Sequence, residues 1–402
     1  MRPIQARSPA RALRTCTFWV IGACAVAQTT TPATAADLIV SANDAKYVRA
    51  AGADPYPEGV GPDTLTVIDV SSFPPVVKAT VEVQHTIAGP PQGVAITPDG
   101  RLAIVSGPNY YDRAEKKVVL ENFLQVVDLA ASPPRIIDKV DVGAHPQGLA
   151  INRDGTLLLA ATLDGSVAVL GIDGSEVSLQ DQLKIADKRL SGVSFTHDGT
   201  AALVALRDEQ GLVVLDVVDG KVSTARDRVT TGVGPYAIDV SSDGQWAVVG
   251  NAGLASLADP GQLHADADTF TLIDVSQRPF RAVQHVTVPS IPEGVAISPD
   301  GRWIAVQVMA GSNLPPDNPA HNPQGRVLLF EIRNGEAIRT ADLPGGQAAQ
   351  GIVFSADSKT VLVQFNVEKQ IAVYAVNDGA LADTGARIPI AGGPTSLRSM
   401  PR

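Results

Sequence analysis

The chain has 402 residues, of which 45% are hydrophobic, 4% aromatic and 18% charged, and a formal net charge of −10. That acidity argues against nucleic acid and anionic membrane surfaces as partners. Both cysteines, Cys16 and Cys24, lie within the first 36 residues, so the rest of the chain has no disulfide, thiolate metal site or cysteine nucleophile.

The first 36 residues read as a secretory signal peptide. Arg2, Arg7, Arg11 and Arg14 form a basic start, residues 16–27 are mostly apolar, and Ala33-Thr34-Ala35 is a small-residue cleavage site. Cleavage is expected after Ala35 or Ala36, which makes the protein periplasmic or secreted. The apolar stretch is too short to span a bilayer, and no later stretch is long enough. Ile21-Gly22-Ala23-Cys24 offers a second processing route, lipidation at Cys24. Cleavage removes four of the 32 basic residues and none of the 42 acidic ones, taking the net charge from −10 to −14.

A ten-residue pattern then returns seven times. Pro91-Gln92-Gly93-Val94-Ala95-Ile96-Thr97-Pro98-Asp99-Gly100 is the clearest copy. Others start at Pro146, Leu190, Pro235, Pro292 and Ala349, and a seventh starts at Pro394 and is cut short. In the unit from Pro146, apolar runs alternate with Asp154-Gly155, Asp164-Gly165 and Asp173-Gly174, which are hairpin turn signals. Four short strands per unit, repeated radially, predict an all-β propeller. The turn aspartates Asp99, Asp154, Asp198, Asp243, Asp300 and Asp357 are spaced by 55, 44, 45, 57 and 57 residues. The shorter spacings match a four-stranded blade of about 40–45 residues, and the longer ones add a loop. Residues 37–42, 64–70 and 75–83 read as three strands lacking an innermost one, and the fragment at Pro394 supplies it. The expectation is one seven-bladed β-propeller domain over residues 37–402, four antiparallel strands per blade, closed by joining both ends of the chain.

With strands lettered a to d from the axis outward, the Asp-Gly turns are a–b turns. Three b–c loops are tight. Four are long, at residues 43–63, 108–121, 251–268 and 310–325, and all four fall on the opposite face from the a–b turns. Long one-sided insertions point to that loop face as functional. The residue before the repeat glycine should ring its axial mouth: Gln92, Gln147, Ser191, Tyr236, Glu293, Gln350 and Thr395. With Gln307 and Gln364 at the tops of two b strands, these predict a polar funnel for a small polar ligand. Tyr110, Tyr111, Asp112 and Arg113 in the second insertion suit a partner contact.

Phosphate loops, dinucleotide fingerprints, Gly-x-Ser-x-Gly, His-Glu-x-x-His and Cys-x-x-Cys are all absent. Of the six histidines, His145, His264 and His321 belong to the loop face, and His264 with His321 is the one pair in adjacent blades that could approach a metal. The reading is nevertheless no metal and no cofactor. If the chain is an enzyme, Glu293, His145 and Arg189 are the candidate acid–base and anion-holding residues.

Val142-Gly143-Ala144-His145-Pro146-Gln147-Gly148-Leu149-Ala150-Ile151-Asn152-Arg153-Asp154-Gly155 resembles the linker and first strand of YVTN-repeat β-propellers. Thr269-Phe270-Thr271-Leu272-Ile273-Asp274-Val275 is similar to that family's third strand. The tetrapeptide itself is replaced, by Leu159-Ala160-Ala161-Thr162 or Val248-Val249-Gly250-Asn251. The resemblance implies an exported seven-bladed propeller. Related propellers include lactonases and subunits of quinoprotein amine dehydrogenases. The leading expectation is a monomeric binding or scaffolding module whose loop face engages a protein or small polar ligand. The alternatives are a lactonase-like hydrolase or isomerase, and a cofactor-free subunit beside a periplasmic redox system.

Overall fold

The computed structural model describes residues 37–402 except 51 and 254–265. The leader therefore lies outside the described residues. No helix among those described is long and apolar enough to cross a membrane.

Short apolar runs, buried on both faces in the inner strands, build seven four-stranded antiparallel sheets, as the repeat predicts. Six sheets each use four strands consecutive along the chain, apart from the hairpin inserted in blade 2. Their a strands are Val94–Ile96, Pro146–Ile151, Val193–Phe195, Pro235–Val240, Pro292–Ile297 and Ile352–Phe354, in blades 2 to 7. Blade 1 is composite. Leu38–Asp44, Thr64–Asp69 and Val76–Glu82 form its outer three strands, and Gly393–Ser399 is its a strand. Ile39 pairs with Ser399 and Ser41 with Leu397, so the two ends of the ring are joined through a β-ladder.

The core is seven separate layers, one between each pair of neighbouring blades. In blade 3, Leu157, Leu159 and Ala161 pack toward blade 4, while Leu158 and Ala160 pack toward blade 2. Ile39, Ile68 and Leu397 complete the layer between blades 7 and 1. Val, Ile, Leu and Ala fill these layers, which explains how so few aromatic residues suffice.

The repeat glycine is there because adjacent a strands nearly touch. A Cβ on Gly148 would collide with the Ser191 carbonyl, on Gly192 with that of Tyr236, and on Gly294 with that of Gln350. The repeat aspartate is a turn residue. Asp99 accepts hydrogen bonds from the Thr97 hydroxyl (2.6 Å) and the Arg101 amide (3.0 Å), and Asp198, Asp243, Asp300 and Asp357 repeat the arrangement. Partial burial raises the Asp99, Asp198 and Asp357 carboxyls, but these bonds more than offset it and leave all three below the usual range.

All four long insertions are b–c loops, as expected. Those of blades 1 and 2 fold on each other. Tyr56 stacks on Tyr111 at 4.0 Å between centroids, Tyr47 meets Tyr56 edge-on, and Arg113 donates to the carbonyls of Tyr56 and Pro57.

Candidate functional site

The axial ring is tied together rather than open. The Gln92 side chain crosses the axis from blade 2 to blade 5: its Nε2 donates to Ile238 O at 2.5 Å, and Ile238 N donates to its Oε1 at 3.1 Å. Ser191 Oγ donates to Pro235 O, Thr395 Oγ1 to Ala42 O, and Gln350 Nε2 to the carbonyls of Ala348 and Ala349. Gln364 links blade 7 to blade 1, accepting from Gly351 N and donating to Ser41 Oγ and Ser396 O. These five polar groups are buried. The expectation that Gln92, Gln350 and Gln364 line a polar funnel for a small polar ligand is corrected on this point, because their amides are bonded to protein groups.

Unmet hydrogen-bonding capacity concentrates elsewhere on the loop face. Glu293, on the a strand of blade 6, is 8% exposed and its Oε2 has no protein partner. Burial raises its carboxyl, an effect that Arg49 and Arg207 counter only in part. Arg207 lies over the Tyr236 ring at 4.6 Å and donates to Gly234 O, while its Nε is unpartnered. The Tyr236 phenol is pushed up by burial and then by the Glu293 charge. Arg49 comes from the blade 1 insertion and reaches Met309 of blade 6 at 3.7 Å. Asp268, pushed up to about 6 by burial, also feels Arg207. Gln307, in the b strand beside Glu293, is fully buried with both amide atoms unpartnered. Two acids, two arginines and a phenol thus gather at this mouth, and Glu293 Oε2 and Arg207 Nε have no protein partner.

Most of the other candidate residues are held by other partners. Arg189 is paired with Asp208 at 2.9 Å, and its charge reaches Tyr236. His145 binds Glu121 O through Nδ1, and burial lowers its pKa. The electrostatic neighbours of Glu293 are arginines, not His145. Gln147 is buried with its Nε2 unpartnered. His321 bonds Leu314 O inside its own loop, and His264 lies outside the described residues. Among the described residues no three His, Cys, Asp or Glu side chains gather at ligand spacing. In the blade 2 hairpin, Tyr111 and Arg113 are used in packing against the blade 1 loop, Asp112 caps the turn, and Tyr110 remains 46% exposed.

A second opening lies at the other end of the axis, among the a–b turns. It is a cavity of ≈ 130 Å³ roofed by Gln92 and walled by Ile151, Phe195, Val240, Ile297, Phe354 and Met400. Asp239 from blade 5 and Arg398 from blade 1 face each other in it, 3.6 Å apart, and Arg153 and Arg402 line it as well. Neither Asp239 nor Arg398 was expected from the sequence. The available signal was a departure from the repeat: the fifth position holds Ala95, Ala150, Ser194, Ala296 and Val353 in the other blades.

No protein-family model and no curated protein matches the chain. Solved structures do. A candidate 6-phosphogluconolactonase from Bacteroides uniformis superposes with a TM-score of 0.65 at 14% identity, over 91% of this chain and 100% of that one. The periplasmic gluconolactonase PpgL of Pseudomonas aeruginosa gives 0.60 at 17% identity, over 90% and 99%. Kuenenia stuttgartiensis hydrazine synthase gives 0.57 at 21% identity, over 78% and 90%. At these identities the likeness is one of fold, and the class it defines is the seven-bladed β-propeller.

Proposed function

We propose that this chain is an exported propeller that binds a small hydroxy acid, of the size and polarity of a sugar acid, at the loop-face axial mouth. The observation that carries this is Glu293, buried with an unpartnered Oε2 beside Arg49, Arg207 and Tyr236. A buried polar atom left without a partner costs about 1–3 kcal/mol, so a ligand that completes it is favoured. A hydroxyl donor suits Glu293, and a carboxylate suits the arginines. Titration calorimetry of the mature chain with aldonic acids tests this. Binding that weakens at least about tenfold in Glu293→Gln and in Arg207→Ala is expected, tenfold being about 1.4 kcal/mol. No binding by folded wild-type protein rejects it.

The same cluster supports a second reading, lactone hydrolysis. A carboxyl raised by burial is suited to proton transfer near neutrality. Water would add to the lactone carbonyl while Glu293 takes its proton, and Arg207 would hold the oxyanion. The ring C–O bond would then break as Glu293 returns the proton to the leaving oxygen. Two of the similar structures carry lactonase names, which adds support through the shared fold. Lactone opening followed in a pH-stat separates the readings: turnover lost in Glu293→Gln means hydrolase, and aldonate binding without turnover means binding module.

A further inference from the structure

The turn-face cavity has features that the ring itself does not require. The ring needs a small or apolar residue at the fifth repeat position, because five blades have one there. Blades 5 and 1 instead place a carboxylate and a guanidinium, and both reach the same cavity. They are not a closed ion pair. Their separation is 3.6 Å, against about 2.7–2.9 Å for a charge-assisted hydrogen bond. Asp239 Oδ2 accepts from Ile297 N at 2.9 Å, and Arg398 Nη2 donates to Val193 O at 3.3 Å. The facing atoms, Asp239 Oδ1 and Arg398 Nη1, meet across that gap. The side chains keep 25% and 15% of their surface open. Burial raises the Asp239 carboxyl and lowers the Arg398 guanidinium, so both charged forms gain from a closer counter-charge.

Apolar side chains such as Phe195, Val240 and Phe354 share the wall with Arg153, Thr196 and Ser241, and the cavity volume is ≈ 130 Å³. A cavity of about 150 Å³ holds a benzene molecule, so the occupant has about six to eight non-hydrogen atoms. The open side is bordered by His197, whose Nδ1 is 3.2 Å from Arg402 O and whose Nε2 is 3.0 Å from Arg153. Arg402 is in turn anchored to Asp37 at 2.8 Å.

We propose that the turn-face axial cavity binds a small zwitterion with an apolar body, its ammonium on Asp239 and its carboxylate on Arg398. A free aliphatic amino acid has this chemistry: two opposite charges on adjacent carbons and a branched hydrocarbon that fits the wall. A simple carboxylate satisfies only Arg398 and leaves Asp239 buried without a partner, and a simple amine does the reverse. Selectivity for the zwitterion therefore comes from the pair, and is distinct from hydroxy-acid binding at the other mouth, where Glu293 has arginines and a phenol as neighbours.

Met400 lines this cavity and gives it a reporter. The mature chain, labelled with 13C at the methionine methyls, is titrated with L-valine, with 3-methylbutanoate, which lacks the ammonium, and with 2-methylpropan-1-amine, which lacks the carboxylate. Valine is expected to shift the Met400 methyl, with at least tenfold weaker responses to the two single-charge analogues. Asp239→Asn should weaken valine binding while leaving 3-methylbutanoate little changed. Ser194→Leu narrows the cavity without touching the pair, and should abolish the response even if the Asp239 variant does not fold. No Met400 response in folded wild-type protein at about 10 mM valine overturns the proposal. So do equal responses to all three compounds, or a valine response that survives Ser194→Leu.

Discussion

The two ends of the propeller axis are built on opposite principles. At the loop face, the polar groups come from three different blades and one insertion: Glu293 from blade 6, Tyr236 from blade 5, Arg207 from blade 4 and Arg49 from the blade 1 loop. At the turn face, the tight, repeated Asp-Gly turns leave little freedom. Function there depends on two substitutions inside the a strands themselves, Asp239 and Arg398. Between the two ends lies Gln92, bonded across the axis to Ile238. The comparison shows that a repeat scaffold can carry chemistry either in what is inserted between strands or in what departs from the repeat within them.

The largest effect is expected from cutting the chain. Removing residues 392–402 takes the a strand from blade 1, with its ladder to residues 39–44 and the buried Leu397. The lost burial and backbone pairing should cost at least about 5 kcal/mol, visible as a large fall in unfolding midpoint. Removing only residues 400–402 should cost far less and open the turn-face cavity, leaving hydroxy-acid binding at the loop face unchanged. Loss of loop-face binding in that short deletion would break the separation of the two mouths.

Acid should strain the loop-face side first. His85 bonds Ser106 O and Ser396 Oγ, and lies with Lys46, Asp44 and Asp63 where the blade 1 insertion is rooted. Burial lowers its pKa to about 4, whereas the unfolded chain takes up the proton near 6.5. The unfolded state therefore binds more protons between these values, and the contribution of His85 to stability is lost as pH falls from about 6.5 to about 4. Asp44, raised to about 6 by burial, has the opposite sign over an overlapping window. Chemical denaturation of wild type and His85→Gln across this range should isolate the histidine as a difference on the order of 2–3 kcal/mol. Parallel pH curves would contradict that sign.

Gln92→Leu tests the partition. It leaves the amide and carbonyl of Ile238 unpaired and should cost about 1–3 kcal/mol. A variant as stable as wild type would mean that the cross-axis bond contributes little. Asp99→Ala removes an exposed turn acceptor that belongs to neither binding group, and should cost about 1 kcal/mol or less.

Much of the fold was legible because each repeat residue has one mechanical job. The glycine allows neighbouring a strands to approach, the aspartate closes the a–b turn, and the truncated copy at Pro394 implies closure with the strands near residue 40. The sites were less legible. Glu293 could be singled out from its place in the ring, but Arg49 and Arg207 could not, because they are brought to it by a loop path and by a strand end two blades away. Gln92, Gln350 and Gln364 look like ligand-binding residues in sequence and are occupied by backbone groups in the structure. Asp239 and Arg398 were visible in principle as the charged members of an otherwise small or apolar column.

The central claim is that the two mouths are separate binding sites for different ligands, and one measurement addresses it directly. The sequence has three methionines, Met1, Met309 and Met400. Met309 lies against Arg49 at the loop face and Met400 lines the turn-face cavity. In a mature chain with 13C-labelled methionine methyls, gluconate should move the Met309 resonance alone, and valine the Met400 resonance alone. Both ligands moving the same resonance, or neither moving any, would contradict the account.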